Sequence, residues 1–429
     1  MRRFSAVVAL VLLLWATLRA SGTEIVPPSE VDALVRPVID EHWCAGLVIG
    51  IVRDRTTQVL GYGTVTDGKV HPPDGDTVFE IGSITKVFTA TLLADMVERK
   101  ELKLDDPVAK FLPESVRVPR FHDAQITLLD LATQHSGLPR LPNNLPSKSR
   151  LDPYAGYTPQ LLYAFLSSYE LTREPGAQYE YSNLGVGLLG HALSLHARET
   201  YEQLVVERIC DPLDMKSTRV ELDDSMQARL AQGHGADGEP VPNWEIPTLT
   251  GAGGLRLTAN DMLRFLAAYL GTMPSDLTPA MRLAVEPHAN VDNANDIGLC
   301  WCFDKMRDMP WHNGQTGGYR SFITFDPKRK FGIVVLGNTS TPVVDQIAVH
   351  LALRLLGRKL TRLDLPTEGA LQADAEQLCG RYLLSHQLTL AVTMQDGRLY
   401  CKGTGQPRCR MYPESADRFF LKAADAKIR

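Results

Sequence analysis

The sequence predicts an α/β (α+β) fold: one sheet gathered from both ends of the chain and flanked by helices, a helical insertion, and a small β module behind. Three observations predict it. Strand periodicity appears near residues 46–63 and again near 298–336, the stretch between them is mostly helical, and short alternating strands return after Arg362. The chain has 429 residues, 44% of them hydrophobic, which is enough for a large core and for two or three domains.

Taken in order, the elements begin with an address. Arg2 and Arg3 precede an apolar run from Val7 to Leu14, and small residues Ala20, Ser21 and Gly22 follow. That is the layout of a secretory signal peptide over residues 1–22, and about a dozen apolar residues are too few to span a bilayer. The expectation is an exported chain, secreted or periplasmic, whose mature form has no stable membrane span. Residues 28–40 read as a helix, 46–52 as a buried strand and 59–63 as its partner across the turn at Asp54-Arg55. Phe79-Glu80-Ile81-Gly82 leads into a long helical pattern from Ser83 to Glu98, whose apolar positions Val87, Leu92, Leu93 and Met96 fit a helix buried on most faces.

The helical insertion runs from about residue 90 to 250, with segments such as 160–168, 184–196 and 201–209. A glycine bend at Gly253-Gly254 leads to a capped helix at Ala259-Asn260-Asp261. Strands are expected at 298–303, 322–325 and 332–336, then a helix at 344–356. The first domain therefore spans residues 23–362. Residues 370–429 form a small β accessory module, and Ile428-Arg429 reads as mid-strand, so the module is expected to be incomplete.

A net charge of −5 supplies no basic field for phosphate backbones, which argues against a nucleic-acid partner. Seven scattered cysteines are too few for a disulfide scaffold. Cys300 and Cys302 would share one strand face as packed thiols, Cys401 and Cys409 could bridge a hairpin, and an odd count leaves at least one outside any intrachain pair.

Three short segments carry chemistry. In Ser83-Ile84-Thr85-Lys86, residues three apart on a helix share a face, so the Lys86 amine can reach the Ser83 hydroxyl. Serine is a weak nucleophile until a neighbour takes its proton, and a desolvated lysine can do so. A helix N-terminus adds N–H groups for a developing oxyanion. By itself Ser-x-x-Lys arises about once by chance in a chain of this size, and it equally describes a capped helix with a solvated lysine. Here Gly82 precedes it and an apolar helix leaves Lys86 an odd charge. The second segment is Tyr181-Ser182-Asn183: a phenol can relay a proton and an amide can hold a substrate carbonyl, although a helix N-cap has the same appearance. The third is His312-Asn313-Gly314-Gln315, where glycine admits a substrate backbone and the next N–H can face an oxyanion. His312 could bind a carboxylate or polarise the tyrosine; alone, the segment is also a turn before a hairpin.

Together, Ser83-x-x-Lys86, Tyr181-x-Asn183 and His312-Asn313-Gly314 resemble the three motifs of the class C β-lactamase and D-alanyl-D-alanine peptidase superfamily of penicillin-recognising serine hydrolases. The resemblance covers residues 28–360 and includes Thr133–Pro139, Pro212–Met215 and Gly253–Leu255. It implies an antiparallel sheet and a catalytic domain that forms an acyl-enzyme, with Ser83 as nucleophile, Lys86 as its activator and Tyr181 as co-base and proton shuttle. It further implies substrate contacts from Asn183, His312, Asn313, Gly314 and Gln315, and an oxyanion hole from the N–H groups of Ser83 and Gln315. No cofactor and no metal are required. The third motif begins with histidine where class C β-lactamases usually carry lysine, which points toward D,D-carboxypeptidase or endopeptidase action on cell-wall peptides with penicillin binding. A class C-like β-lactamase, a carboxylesterase or a D-amidase remains the alternative, so the implied partners are a cell-wall peptide, a β-lactam or a small ester. A non-catalytic binding or scaffold protein would be expected to have lost a motif, and none is lost. No Gly-x-Ser-x-Gly or His-Glu-x-x-His occurs to favour another hydrolase class.

Overall fold

A computed structural model describes residues 24–66, 71–147, 149, 151–385, 388–406 and 408–429. The expected signal peptide lies outside the described residues.

The main sheet has eight antiparallel strands in the order 56–63, 46–53, 331–337, 320–326, 309–315, 302–304, 295–297 and 289–290. Its second strand, Gly46–Arg53, is rich in Leu, Val and Ile because both faces are covered. Side chains alternate across the pleat, so Leu47, Ile49 and Ile51 meet the helices Pro28–Asp40 and Val343–Leu355. Val48 and Val52 belong to the opposite core, with Phe88, Phe265, Val334 and Leu336. Gly50 lets the helix Ala259–Tyr269 approach, since a Cβ there would lie 2.7 Å from Val334 and 3.1 Å from Leu263.

The helix Thr85–Glu98 runs through the larger core, with every residue from Thr85 to Met96 buried. Its threonines satisfy their hydroxyls internally: Thr91 donates to the Val87 carbonyl at 2.7 Å, and Thr89 pairs with the Tyr201 hydroxyl at 2.7 Å. Phe88 stacks on Phe265 at 4.2 Å. The helix starts two residues later than the pattern implies, because Gly82–Ile84 forms a 3-10 turn and Ser83 sits within it.

Two further differences have local causes. Cys300 adopts a left-handed conformation (φ 58°), which ends regular pairing; the strand begins only at Cys302, and the two cysteines do not share a strand face. The segment Tyr201–Val205 passes into a π turn at Val206–Cys210 instead of continuing as α-helix. Phe79 pairs in a separate two-stranded sheet, Val78–Glu80 with Arg256–Thr258.

The C-terminal module is a six-stranded antiparallel meander: Gly380–Ser385, Leu388–Gln395, Arg398–Gly403, Arg408–Ser415, Arg418–Leu421 and Ala426–Ile428. Cys401 and Cys409 stand opposite each other on adjacent strands. The module docks on the main body through aromatic stacking: Phe420 lies 5.4 Å from Trp43 and 5.4 Å from Tyr412. The Lys422 ammonium donates to the carbonyls of Glu41 (2.9 Å) and His42 (3.1 Å), and the Tyr412 hydroxyl donates to Ala236 at 3.3 Å. No helix among the described residues is long and apolar enough to cross a membrane.

Candidate active site

Ser83 is placed by two glycines that allow backbones to touch. Gly82 has φ 50°, and a Cβ there would lie 2.7 Å from the Gln315 nitrogen. A Cβ on Gly314 would lie 1.9 Å from the Ile81 carbonyl oxygen. The turn carrying Ser83 is thereby pressed against the strand Met309–Gln315, which brings the first and third motifs together. Ser321 fastens the same junction, its hydroxyl donating to Ile81 at 2.8 Å. Gly314→Ala is expected to force these backbones apart, destabilising the fold by about 1–3 kcal/mol and lowering turnover. Urea unfolding of the variant with a normal midpoint and normal turnover would refute the close-approach argument.

Lys86 is the buried cation the sequence points to, with 0% of its surface exposed. Its Nζ lies 3.0 Å from Ser83 Oγ, 2.9 Å from Asn183 Oδ1 and 2.6 Å from the Ala252 carbonyl. Burial pushes its pKa down from 10.5 to about 7, with Arg140 lowering it further and Cys300 acting in the opposite sense. A neutral amine has two N–H donors, enough for Asn183 and Ala252, and one lone pair available to accept the proton of a hydroxyl at the Ser83 distance. The geometry therefore fits an amine able to accept the Ser83 proton near neutral pH.

Asn183 opens the helix Asn183–Ala197, capped by Ser182, whose Oγ accepts from the Gly185 N–H at 2.8 Å. The segment Thr133–Pro139 holds this cap. Ser182 donates its N–H to Gln134 Oε1 at 2.7 Å and its hydroxyl to the Pro139 carbonyl at 2.7 Å. Asn183 then spans the site, accepting from Lys86 and donating from Nδ2 to the Tyr154 hydroxyl at 2.8 Å. The Tyr181 ring lies 5.0 Å from Lys86 Nζ, and its hydroxyl interacts with Ser83. Burial pushes the Tyr181 pKa well above the ordinary phenol value, with Ser83 and Arg140 pulling the other way, so the side chain is a neutral phenol at physiological pH.

The third motif divides across its strand. Asn313 and Gly314 line the active-site cavity, with the Asn313 side chain donating to Asp345 at 2.7 Å, whereas His312 is not among the residues that line it. His312 is only 3% exposed, and its Nδ1 lies 2.6 Å from the Asn313 carbonyl. Burial, reinforced by Lys86, pushes its pKa down to about 3. The imidazole is therefore neutral, and a partly charged ring holding a substrate carboxylate is not what the structure provides. Gln315 binds Ser340 Oγ through Nε2 at 2.7 Å.

Ser83, Tyr181, Asn183, Asn313, Gly314 and Gln315 open into one cavity of about 1130 Å³. Its walls include Arg140, Tyr154 and Trp244, none of which the motifs singled out, and Lys402, Arg408 and Arg410 from the C-terminal module. Arg140 directly follows the Thr133–Pro139 segment, which was the available signal. Tyr154 and Trp244 sit in irregular loops and pack together at 5.5 Å, a contact no periodicity announces. No group of three or more potential metal ligands occurs among the described residues.

A family model described as Beta-lactamase matches residues 31–358. The chain is 25% identical over 359 residues to a Pseudomonas fluorescens protein named Beta-lactamase, covering 75% of this chain and 96% of that one. It is 29% identical over 308 residues to the Escherichia coli D-alanyl-D-alanine-carboxypeptidase/endopeptidase AmpH, covering 68% and 78%. Among solved structures, a class C beta lactamase from Rhodobacter sphaeroides superposes with a TM-score of 0.66 at 26% identity, over 77% of this chain and 99% of that one. The chain thus belongs to the beta-lactamase family and is a serine hydrolase.

Proposed function

We propose that this protein is an exported acyl-transferring hydrolase that acts on D-alanyl-D-alanine cell-wall peptides as a carboxypeptidase or endopeptidase and binds penicillin covalently. The observation that supports this most directly is the Lys86 amine, held between Ser83 and Asn183 and tuned to about 7. In this reading Ser83 Oγ attacks the substrate carbonyl carbon while its proton passes to Lys86. The oxyanion sits against the N–H groups of Ser83 and Gln315, whose backbones Gly82 and Gly314 bring together. The proton then travels through the Tyr181 hydroxyl to the leaving amine, the carbonyl–nitrogen bond breaks, and water later hydrolyses the Ser83 ester. Because Tyr181 is held protonated and Lys86 is half neutral, Lys86 is the resting base and Tyr181 the shuttle. Asn183 positions the substrate amide. The neutral, buried His312 holds the Asn313 carbonyl of its own strand instead of meeting the substrate charge.

The same machinery opens a β-lactam ring or a small ester, so a β-lactamase, carboxylesterase or D-amidase is the second reading. The histidine that begins the third motif favours the peptidase reading over an efficient β-lactamase. Fluorescent penicillin, followed by mass mapping of the adduct, is expected to label Ser83. Rates on a D-Ala-D-Ala peptide, nitrocefin and a p-nitrophenyl ester then rank the substrates. A nitrocefin rate far above the peptide rate would replace the first reading with the second, and an adduct on any other residue would remove both.

A further inference from the structure

The cavity is rich in cations, and most of them are already engaged. Arg320 is clamped by Asp345, with Nε donating to Oδ1 at 2.7 Å. Arg410 pairs with Glu368 at 2.9 Å and lies over the Tyr412 ring at 4.3 Å. Arg408 donates to Gln395 at 2.6 Å and stacks on Tyr400 at 3.8 Å. Arg140 differs. Its side chain lines the cavity, it is exposed, and no acidic partner holds it among the described residues. Its guanidinium carbon lies 5.0 Å from the centroid of the Tyr181 ring, the same ring that Lys86 Nζ approaches to 5.0 Å.

The backbone of Arg140 is also fixed. Its carbonyl accepts from the Asn183 N–H at 3.0 Å and the Leu184 N–H at 3.3 Å, and the preceding Pro139 carbonyl accepts the Ser182 hydroxyl. The guanidinium is thus mounted on the N-terminus of the helix that carries Asn183, directly beside the proposed proton shuttle. A leaving group must sit against Tyr181 to receive its proton, so a negative charge on that leaving group falls within reach of Arg140. Guanidinium is well suited to such a charge because its planar fork matches a carboxylate with two parallel hydrogen bonds.

We propose that Arg140 is the specificity-determining residue on the leaving-group side of the cavity, reading a free carboxylate next to the scissile bond. This rests on the acyl-enzyme reading of Ser83 and Tyr181. It assigns to a loop arginine the recognition that a charged residue at the head of the third motif would otherwise supply, a role the buried neutral His312 cannot take.

The test compares two esters of N-acetyl-D-alanine that share one acyl group, the phenyl ester and the 3-carboxyphenyl ester. The quantity read is the ratio of their kcat/KM values, which cancels any effect on the common chemistry. In Arg140→Gln the preference for the carboxylate-bearing ester is expected to fall about 10- to 100-fold, the scale of one hydrogen-bonded charge pair. Arg140→Lys should restore part of it, and Lys402→Gln, at the module wall, should lower it by a far smaller factor. An unchanged ratio in Arg140→Gln overturns the proposal, as does an equal fall in Lys402→Gln, which would show a diffuse field instead of a contact. Ser83→Ala separates the two claims. If that variant still hydrolyses both esters, the nucleophile reading fails and this placement with it; if it is inactive while Arg140→Gln keeps the ratio, Arg140 alone is refuted.

Discussion

Ser83→Ala is expected to lower turnover of every substrate by roughly 10⁴-fold or more, the scale seen when a nucleophile is removed from an enzyme that works through a covalent intermediate. The fold should survive, because Ser83 lies in a 3-10 turn whose position is set by Gly82 and the strand Met309–Gln315 and not by its own hydroxyl. Penicillin labelling should vanish with the activity. Persistent labelling in a folded variant, checked by its unfolding midpoint, would assign the acyl group to another residue.

Lys86→Met is expected to cost about 10³-fold in kcat/KM, within the range attributed to positioned general bases. It should also remove a pH dependence. In the proposed mechanism the neutral amine is the active form, so kcat/KM of the wild type should rise about tenfold per unit below pH 7 and level off above it. The same group affects stability with a definite sign. Its pKa is about 7 when folded, against 10.5 ordinarily. Below about 7 both the folded and unfolded chains carry the proton, and the folded state bears the full cost of burying it. Between about 7 and 10.5 only the unfolded chain binds the proton, so stability rises with pH; above that window the penalty is gone. Urea unfolding at pH 7 and pH 10 should show the wild type gaining stability relative to Lys86→Met. Parallel behaviour of the two proteins would mean that Lys86 is not buried as a perturbed amine.

The elements most legible in the sequence are those whose burial is two-sided and local. Gly46–Arg53 announces itself through its aliphatic run, and Thr85–Glu98 through a helix with almost no polar face. Ser83, Lys86, Tyr181 and Asn183 come together as their spacing and resemblance imply, because each lies at the start of a buried helix or just before one. What stayed hidden depends on contacts across long stretches of chain or on single backbone angles. The left-handed turn at Cys300 interrupts an otherwise good strand pattern. The neutrality of His312 follows from burial beside Lys86, which no count of motif residues contains. Arg140, Tyr154 and Trp244 come from loops, and the basic wall from a module that follows the motif-bearing domain in the sequence.

The second strand of the main sheet has a consequence for the order of assembly. Leu47–Arg53 pairs with Phe331–Gly337, and the strand bearing the third motif reaches that pair only through Arg320–Asp326. During synthesis, one edge of that strand therefore waits for a partner made nearly three hundred residues later. Such a non-local pairing closes slowly and leaves aliphatic surface uncovered in the meantime. A nascent chain that has completed Ser83, Lys86 and Tyr181 still lacks the backbone that would face the oxyanion. Hydrolytic competence thus arrives late in folding, with closure of the sheet.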